Sequence, residues 1–209
     1  MGAWIGPRPV FVAMMRRPRQ QLRIIGGCWR GRRLGFATLP GLRPTPDRVR
    51  ETLFNWLAPV VAGSRCLDLF AGSGALGLEA ASRGAAHVTL VDADIAATRN
   101  LRQQVEMLQA AQVEVVHEDA LQFLAQPRGA YDIIFVDPPF GRDLLAPSLL
   151  AIDRGRWLKP GGNLYLEAAR SIPLAEVESW LPVGYELLRA KRAGQVAYYL
   201  VCLRRADLS

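Results

Sequence analysis

The stretch Cys66-Leu67-Asp68-Leu69-Phe70-Ala71-Gly72-Ser73-Gly74-Ala75-Leu76-Gly77 decides the fold of this 209-residue chain. Its apolar first half predicts a buried strand, and the glycines that follow predict a tight turn into a helix. The spacing satisfies G-x-G-x-x-G between a strand and a helix, the pattern of nucleotide-binding α/β domains. Because a purely structural turn can carry the same glycines, the pattern alone is a weak signal.

Two carboxylates near this turn bear on the ligand that it would bind. Asp92 follows the next predicted strand, residues 87–91, at the position where an acid would hold ribose hydroxyls. That position suits a dinucleotide and S-adenosylmethionine equally. Asp68 precedes the first glycine, and its charge there would repel a pyrophosphate and attract a methionine-type ammonium. Asp68 therefore favours S-adenosylmethionine over a nicotinamide dinucleotide, whereas Asp92 does not discriminate between them.

A second motif with chemical meaning is Asp137-Pro138-Pro139-Phe140, directly after a predicted buried strand, residues 131–136. Consecutive prolines fix φ near about −65° and remove two backbone donors, so the carboxylate and the ring lie on a stiff loop. In open parallel α/β sheets this carboxyl edge is where ligands bind. Acceptor oxygens beside an aromatic face suit a flat base with an exocyclic amine. The alternative is a surface turn with a helix-capping aspartate.

With these motifs the chain resembles the class I S-adenosylmethionine-dependent methyltransferases. It is most similar to the bacterial family that methylates guanine N2 in small-subunit (16S) ribosomal RNA, the RsmD family. The resemblance covers residues 22–204 and rests on residues 23–27, 43–57, 67–77, 135–140 and 194–198. It implies an α/β, Rossmann-like class I methyltransferase fold. The seven-stranded, mostly parallel sheet would have helices on both faces and residues 196–203 as its one antiparallel strand.

The resemblance also implies roles for individual residues. Expected to bind S-adenosylmethionine are Asp68, Phe70, Ala71, Gly72, Ser73, Gly74, Gly77, Asp92, Asp119 and Ala120. Asp119 could equally cap the helix that follows it. Methyl transfer to N2 would be a one-step in-line displacement without an enzyme nucleophile or a metal. Asp137 and the Pro138 carbonyl would accept hydrogen bonds from the amine, and Phe140 would stack on a base that has left its stacked position.

Positive charge is concentrated at the amino terminus. Residues 1–50 contain 11 arginines and one acid, a net charge of +10, whereas the remaining 159 residues carry −3. This asymmetry predicts a nucleic-acid contact rather than a merely solvated face. The arginines expected to contact RNA are Arg23, Arg30, Arg32, Arg33 and Arg48. Arg50, on the same predicted helix as Arg48, is expected either to reach cofactor or substrate or to lie on an exposed helix face.

The chain is expected to divide into a disordered basic tail (1–21), a basic β-hairpin arm (22–44) and a methyltransferase domain (45–209). The arm's strands are predicted at residues 23–25 and 32–34. Strands of the domain are predicted at 65–70, 87–91, 113–117, 131–136 and 162–168, with a closing hairpin at 185–190 and 196–203. Helices are predicted at 45–57, 76–82, 95–110, 120–124, 144–152 and 174–180. This alternation predicts a parallel sheet with right-handed crossovers.

Composition narrows the class of protein further. No apolar stretch approaches the roughly 20 residues of a membrane span, and three scattered cysteines indicate reduced thiols rather than disulfides or zinc. We expect a cytoplasmic monomer. Its substrate is expected to be ribosomal RNA within an assembled or assembling small subunit. Three alternatives stay open: an adenine-N6 DNA methyltransferase, a dinucleotide dehydrogenase and a non-catalytic ribosome-assembly factor. The absence of a visible DNA-specificity domain weighs against the first, and Asp68 weighs against the second.

Overall fold

A computed structural model describes residues 19–37, 45–126, 129–139 and 141–204, except for the side chains of residues 19, 20 and 37. The strands are β1 (Arg19–Arg23), β2 (Arg33–Ala37), β3 (Arg65–Asp68), β4 (His87–Asp92), β5 (Val113–His117), β6 (Tyr131–Val136), β7 (Leu158–Ala169), β8 (Tyr185–Ala193) and β9 (Val196–Leu203). The helices are α1 (Asp47–Leu57), α2 (Gly77–Ser82), α3 (Ile95–Leu108), α4 (Ala120–Leu124), α5 (Leu145–Arg154) and α6 (Leu174–Ser179).

Strands β3 to β9 form one sheet in the order β5-β4-β3-β6-β7-β9-β8, and β1 and β2 pair separately. β9 runs antiparallel to both of its neighbours, whereas the other pairs in the large sheet are parallel. The predicted fold class is therefore confirmed, including the single antiparallel strand. Parallel strands need crossover helices, which cover both faces and leave the carboxyl ends of β3, β4, β6 and β7 along one edge.

Each face of the sheet has its own apolar core. Helices α1, α2 and α3 pack on one face, where the Phe54 ring of α1 lies 6.1 Å from the Phe135 ring of β6. Helices α4, α5 and α6 pack on the other face, where Trp157 stacks on Tyr131 and contacts Phe123. The apolar residues of α1 recur at helical spacing, and this periodicity places them on the sheet.

The amino-terminal hairpin differs from its prediction in register. β1 begins at Arg19, inside the segment expected to be a tail, because Leu22 pairs with Leu34 and both side chains are buried in the core. Ile24 is also fully buried, but it lies in the connection rather than in the ladder. The hairpin therefore packs on the main domain through its apolar face. Residues 1–18 of the expected tail lie outside the described residues.

The carboxyl half also departs from prediction at one place. β7 begins at Leu158 rather than at residue 162, because its pairing with β6 resumes after an irregularity: Tyr131 faces Leu158 and Ile133 faces Asn163. A polar strand start in Lys159-Pro160-Gly161-Gly162 gives no apolar pattern from which this extension could be predicted. Among the described helices, none is long and apolar enough to cross a membrane.

Candidate active site

Three carboxyl groups meet at the carboxyl edge of the sheet, on the face that α1 covers. Asp68 ends β3 opposite Phe135 of β6, and Phe135 in turn lies opposite Tyr165 of β7. Side chains two residues apart share a face, so Asp137 and Glu167 follow these rings on the same side. Neighbouring strands are about 4.8 Å apart, which brings the three acids within strong electrostatic reach of one another. We call Asp68, Asp137 and Glu167 the edge cluster.

Asp68 holds the end of the glycine turn through a hydrogen bond. Its Oδ2 accepts a hydrogen bond of 2.9 Å from the Gly77 N–H, and its side chain is almost completely buried. A side chain on Gly77 would place its Cβ 2.1 Å from Leu90 Cδ2, so glycine is required for α2 to approach the sheet here. Burial raises the pKa of Asp68 to about 7, against the lowering effect of the Gly77 hydrogen bond. A cation beside this carboxyl group would favour its ionised form.

The outer part of the turn is fixed by Asp92 at the end of β4. Its Oδ2 accepts from the Gly72 N–H at 2.7 Å and its Oδ1 accepts from the Asp94 N–H at 2.8 Å. Gly72 has φ 51°, a left-handed conformation that favours glycine. Asp92 is half-buried, and burial raises its pKa. Each carboxylate oxygen has a further lone pair, so the side chain can still accept from ligand hydroxyls.

The other residues expected at the cofactor site lie around this turn. Ala71 donates its N–H to Val91 O, Ser73 is buried, and half-buried Phe70 packs toward the α4–α5 side. The N–H of Glu118 donates to Asp92 O, which brings the end of β5 beside β4. Asp119 then caps α4 by accepting from two backbone N–H groups, and Ala120 is buried. Gly74 has φ 81° and faces Leu78 and Leu101, so it serves the packing of the turn.

Asp137 stands directly after β6, on the loop that the two prolines stiffen. The Thr45 hydroxyl donates to its Oδ2 at 3.3 Å, from the residue that precedes the N-cap of α1. Burial, and then the negative charges of Glu167 and Asp68, raise the pKa of Asp137 well above its usual range. Pro138 is buried beside it. Phe140 lies outside the described residues, so its stacking role stays a prediction.

Sequence reasoning missed Glu167 and Thr45. Glu167 is 3% exposed, its Oε1 accepts a 2.7 Å hydrogen bond from the Tyr165 hydroxyl, and Thr45 lies within hydrogen-bonding reach. Burial raises the pKa of Glu167 as well. An acid within the apolar run Leu164-Tyr165-Leu166-Glu167-Ala168 was the available signal, because buried acids are rare without a function or a partner.

The edge cluster has no described counter-charge. Among the described Lys and Arg side chains, none forms an ion pair with Asp68, Asp137 or Glu167. Buried carboxylates without a cation are costly, which is consistent with their raised pKa values. A cationic ligand at this edge would supply the missing charge.

The five arginines predicted to contact RNA are all exposed: Arg23, Arg30, Arg32, Arg33 and Arg48. The connection of the hairpin, however, packs against the C-terminal end of α2. Ser82 Oγ donates to Gly26 O at 2.6 Å and accepts from the Trp29 N–H at 3.0 Å. The glycine turn and Asp68 lie at the N-terminal end of the same helix. The structure therefore does not bring Arg30 and Arg32 to the carboxyl edge of the sheet, where the edge cluster lies.

The expectation for Arg50 was wrong, because this residue neither reaches the site nor lies on an exposed helix face. It is completely buried, donates to Arg23 O at 2.8 Å, and forms ion pairs with Asp47 at 2.6 Å and Glu79 at 3.4 Å. Glu79 also accepts from the Ile25 N–H and pairs with Arg83 at 2.8 Å. We call Asp47, Arg50, Glu79 and Arg83 the junction, because they join the hairpin to α1 and α2.

Comparison with known proteins finds relatives that match most of the chain. The family model described as conserved hypothetical protein 95 matches residues 22–202. Ribosomal RNA small subunit methyltransferase D of Escherichia coli K12 is 50% identical over 183 residues, which cover 86% of this chain and 89% of that protein. The Haemophilus influenzae protein of the same name is 42% identical over 184 residues, with 86% and 93% covered. Among solved structures, yhhF of Escherichia coli, described as a candidate methyltransferase, matches with a TM-score of 0.79 and 45% identity, covering 90% of this chain and all of that one.

Proposed function

The chain belongs to the family described as conserved hypothetical protein 95, and on that premise we propose that it methylates the exocyclic N2 of a guanine in small-subunit ribosomal RNA. It is a methyltransferase with the class I fold, and S-adenosylmethionine is its methyl donor. The observation that carries the proposal is the position of Asp137. This carboxyl group stands on a proline-stiffened loop at the carboxyl edge, beside the glycine turn and without a described cation.

The residues at this edge fit the donor. The turn at Gly72 and the carboxylate of Asp92 would hold its ribose hydroxyls, and the charge of Asp68 would attract its ammonium group. Asp119 and Ala120, brought beside Asp92 by the Glu118–Asp92 hydrogen bond, would contact the adenine. When bound, S-adenosylmethionine supplies an electrophilic methyl group on a cationic sulfonium. The carboxyl groups of the edge cluster would stabilise that positive charge.

The acceptor amine needs orientation because its lone pair is delocalised into the guanine ring. Asp137 and the Pro138 carbonyl would accept its two N–H hydrogen bonds and turn the lone pair toward the methyl carbon. The nitrogen would form its new bond to the methyl carbon as the carbon–sulfur bond breaks, and the methylated amine would then lose a proton. Asp137, in its ionised form, would accept that proton. Phe140 would stack on the base and keep it outside the RNA stack.

We expect the substrate to be an assembled or assembling small subunit rather than free RNA. The domain is small, and the hairpin is its one appended element among the described residues. A site that reads a single flipped base with so little protein around it needs the surrounding particle to present that base.

Methyl transfer to isolated small subunits tests the proposal. Subunits from cells that lack the gene are incubated with the protein and methyl-labelled S-adenosylmethionine, and the labelled nucleotide is mapped. We expect one labelled guanine, modified at N2, and no label with Asp137→Ala. Free ribosomal RNA and duplex DNA are the parallel substrates. Label in DNA adenine, or in no nucleic acid, would overturn the assignment.

A further inference from the structure

The proposed function calls for cations beside the target base in addition to those of the amino-terminal hairpin. The phosphates beside a flipped base lie close to the catalytic edge, and cations are what hold them there. The connection of the amino-terminal hairpin lies against Ser82, at the far end of α2 from this edge. The cations that grip RNA next to the target base must therefore come from another element.

The tip of the β8–β9 hairpin stands at the catalytic edge. Its last ladder pair joins Ala193 to Val196, and Val196 also pairs with Ala169 at the carboxyl end of β7. The tip is fixed to the end of β7 at two points. The Arg170 N–H donates to Gln195 O at 2.8 Å, and Arg170 Nη1 donates to Gly194 O at 3.1 Å. Since β7 also carries Glu167, this tip rises directly beside the edge cluster.

The charge on this tip is strongly positive. Arg170, Arg189, Lys191 and Arg192 are all exposed, and the sequence from Leu187 to Arg204 contains no acid. None of the four forms an ion pair with a carboxylate in the part of the chain that the structure describes. Further along the same strand pair, by contrast, Arg204 pairs with Glu186 at 2.9 Å. The four cations without an ion pair thus lie from the middle of β8, at Arg189, to the tip of the hairpin, and on Arg170 beside that tip.

The cations also project from both faces of the strand. Lys191 pairs with Tyr198, whose side chain faces α1, and the Lys191 Nζ lies 5.8 Å from the centre of the Trp56 ring. Arg192 pairs with Ala197, whose side chain faces the opposite core. A strand of backbone phosphates passing over the tip would meet a cation on either side.

We propose that the tip of the β8–β9 hairpin, with Arg170, Arg189, Lys191 and Arg192, binds the RNA phosphates that flank the target nucleotide. This inference rests on the proposed function and adds a second contact surface to it. Arginine suits bidentate phosphate contacts, and lysine adds a point charge. The amino-terminal hairpin then contacts RNA farther from the base, and the two surfaces hold the substrate across α1.

The test compares two double variants that remove the same charge. Lys191→Gln with Arg192→Gln alters the tip, whereas Arg154→Gln with Arg156→Gln alters two exposed arginines just before β7, on the opposite edge. The affinity for unmodified small-subunit rRNA and for small subunits is measured as a function of salt concentration. The affinity for S-adenosylmethionine is measured as a check that each variant is folded. We expect the tip variant to bind both RNA probes roughly tenfold more weakly, with a salt slope smaller by about 0.7–0.9 for each phosphate no longer neutralised. The control should match the wild type.

The outcomes separate the inference from the function on which it rests. If the wild type neither binds nor methylates the small subunit, the proposed function is wrong. If the wild type does both and the tip variant equals the control, the tip does not contact RNA. A loss of affinity for subunits alone, with rRNA binding unchanged, would show that the tip touches a ribosomal protein and would overturn the RNA assignment.

Discussion

Two groups of charged side chains contain buried members, Arg50 and Glu79 in the junction and Asp68 and Glu167 in the edge cluster, and the groups differ in how their charge is balanced. In the junction, Glu79 accepts from Arg50, Arg83 and the Ile25 N–H, so its buried carboxylate is surrounded by donors. In the edge cluster, Asp68, Asp137 and Glu167 have hydroxyl and backbone donors but no described cation. Burial raises the pKa of each of these three acids.

The difference separates a structural role from a functional one. The buried Arg50–Glu79 ion pair fixes the relative position of α1 and α2, because breaking it would leave a buried charge uncompensated, although Arg50 Nε itself has no hydrogen-bond partner among the described residues. Buried carboxyl groups without a counter-ion are poised for a ligand that brings positive charge, and perturbed acids of this kind concentrate at active sites. Substitutions in the junction should therefore change stability first, and substitutions in the edge cluster should change binding or turnover first.

The largest effect is expected from breaking the junction. Arg50→Ala removes the guanidinium that joins Arg23, Asp47 and Glu79, and leaves a cavity with a poorly compensated carboxylate. We expect the free energy of unfolding to fall by about 3–5 kcal/mol, measured by urea denaturation. Arg48→Ala, on an exposed position two residues away, should change it by less than about 0.5 kcal/mol. Equal stability of the two variants would mean that the junction does not hold the hairpin.

Breaking the edge cluster at Asp137 should leave the fold intact and remove catalysis. Asp137→Ala takes away an acceptor needed mainly in the transition state, so we expect kcat to fall by about 10²-fold or more. Affinity for S-adenosylmethionine should stay within about tenfold. The matched control is Glu176→Ala, an exposed acid on α6. Turnover above about a tenth of the wild-type value would show that the tetrapeptide is structural.

Asp92 tests the cofactor side of the same edge. Asp92→Ala removes the acceptor for the Gly72 and Asp94 N–H groups, together with the proposed ribose contacts. We expect S-adenosylmethionine binding to weaken by about 1–3 kcal/mol in calorimetry. Asp94→Ala, which removes the α3 cap from the adjacent turn, should leave that affinity nearly unchanged. The proposed role of Asp92 fails if the two variants bind the cofactor equally well.

The comparison also explains what the sequence could predict. The parallel strands and the placement of Asp68, Asp92 and Asp137 at the carboxyl edge were accessible, because strand and turn signals are local and the carboxyl ends of parallel strands converge. The seven-stranded sheet with its one antiparallel strand was expected from the family resemblance. The roles of Arg50 and Glu167 were not accessible. Their neighbours are brought together by packing between distant elements, 29 residues apart for Arg50 and Glu79, and periodicity carries no information about such pairs. The register of β1 was missed because Ile24 and Ile25 mimic a strand that the buried pair Leu22–Leu34 overrides.

The hairpin that the junction fixes should bind RNA without influencing the cofactor. Replacing Arg30, Arg32 and Arg33 by Ala together should lower RNA affinity and flatten its salt dependence, by up to about 0.7–0.9 log units for each phosphate no longer neutralised. S-adenosylmethionine affinity should be unchanged, because these arginines lie away from the glycine turn. Wild-type affinity and salt slope in this triple variant would make the arm a passive charged surface.

The smallest expected effect comes from Glu167→Gln, which removes one charge from the edge cluster and keeps the size of the side chain. Asp137 must be ionised to accept a proton, so kcat falls as pH falls through its pKa. That pKa is raised by burial first and then by the negative charges of Glu167 and Asp68, against the hydrogen bond from Thr45. Glu167→Gln keeps an acceptor for the Tyr165 hydroxyl but removes its charge. The pKa of Asp137 should therefore drop, and the acidic limb of the kcat profile should move to lower pH.

The direction of this shift separates an electrostatic role of Glu167 from a packing role. Poorer packing alone would lower kcat at every pH and leave the limb in place. Asp68 and Thr45 also act on the pKa of Asp137, and neither residue is substituted in this variant. Glu178→Gln, which removes the same charge from an exposed position on α6, should reproduce the wild-type profile. If the acidic limb does not shift in Glu167→Gln while S-adenosylmethionine binding is intact, the charge of Glu167 does not raise the pKa of Asp137.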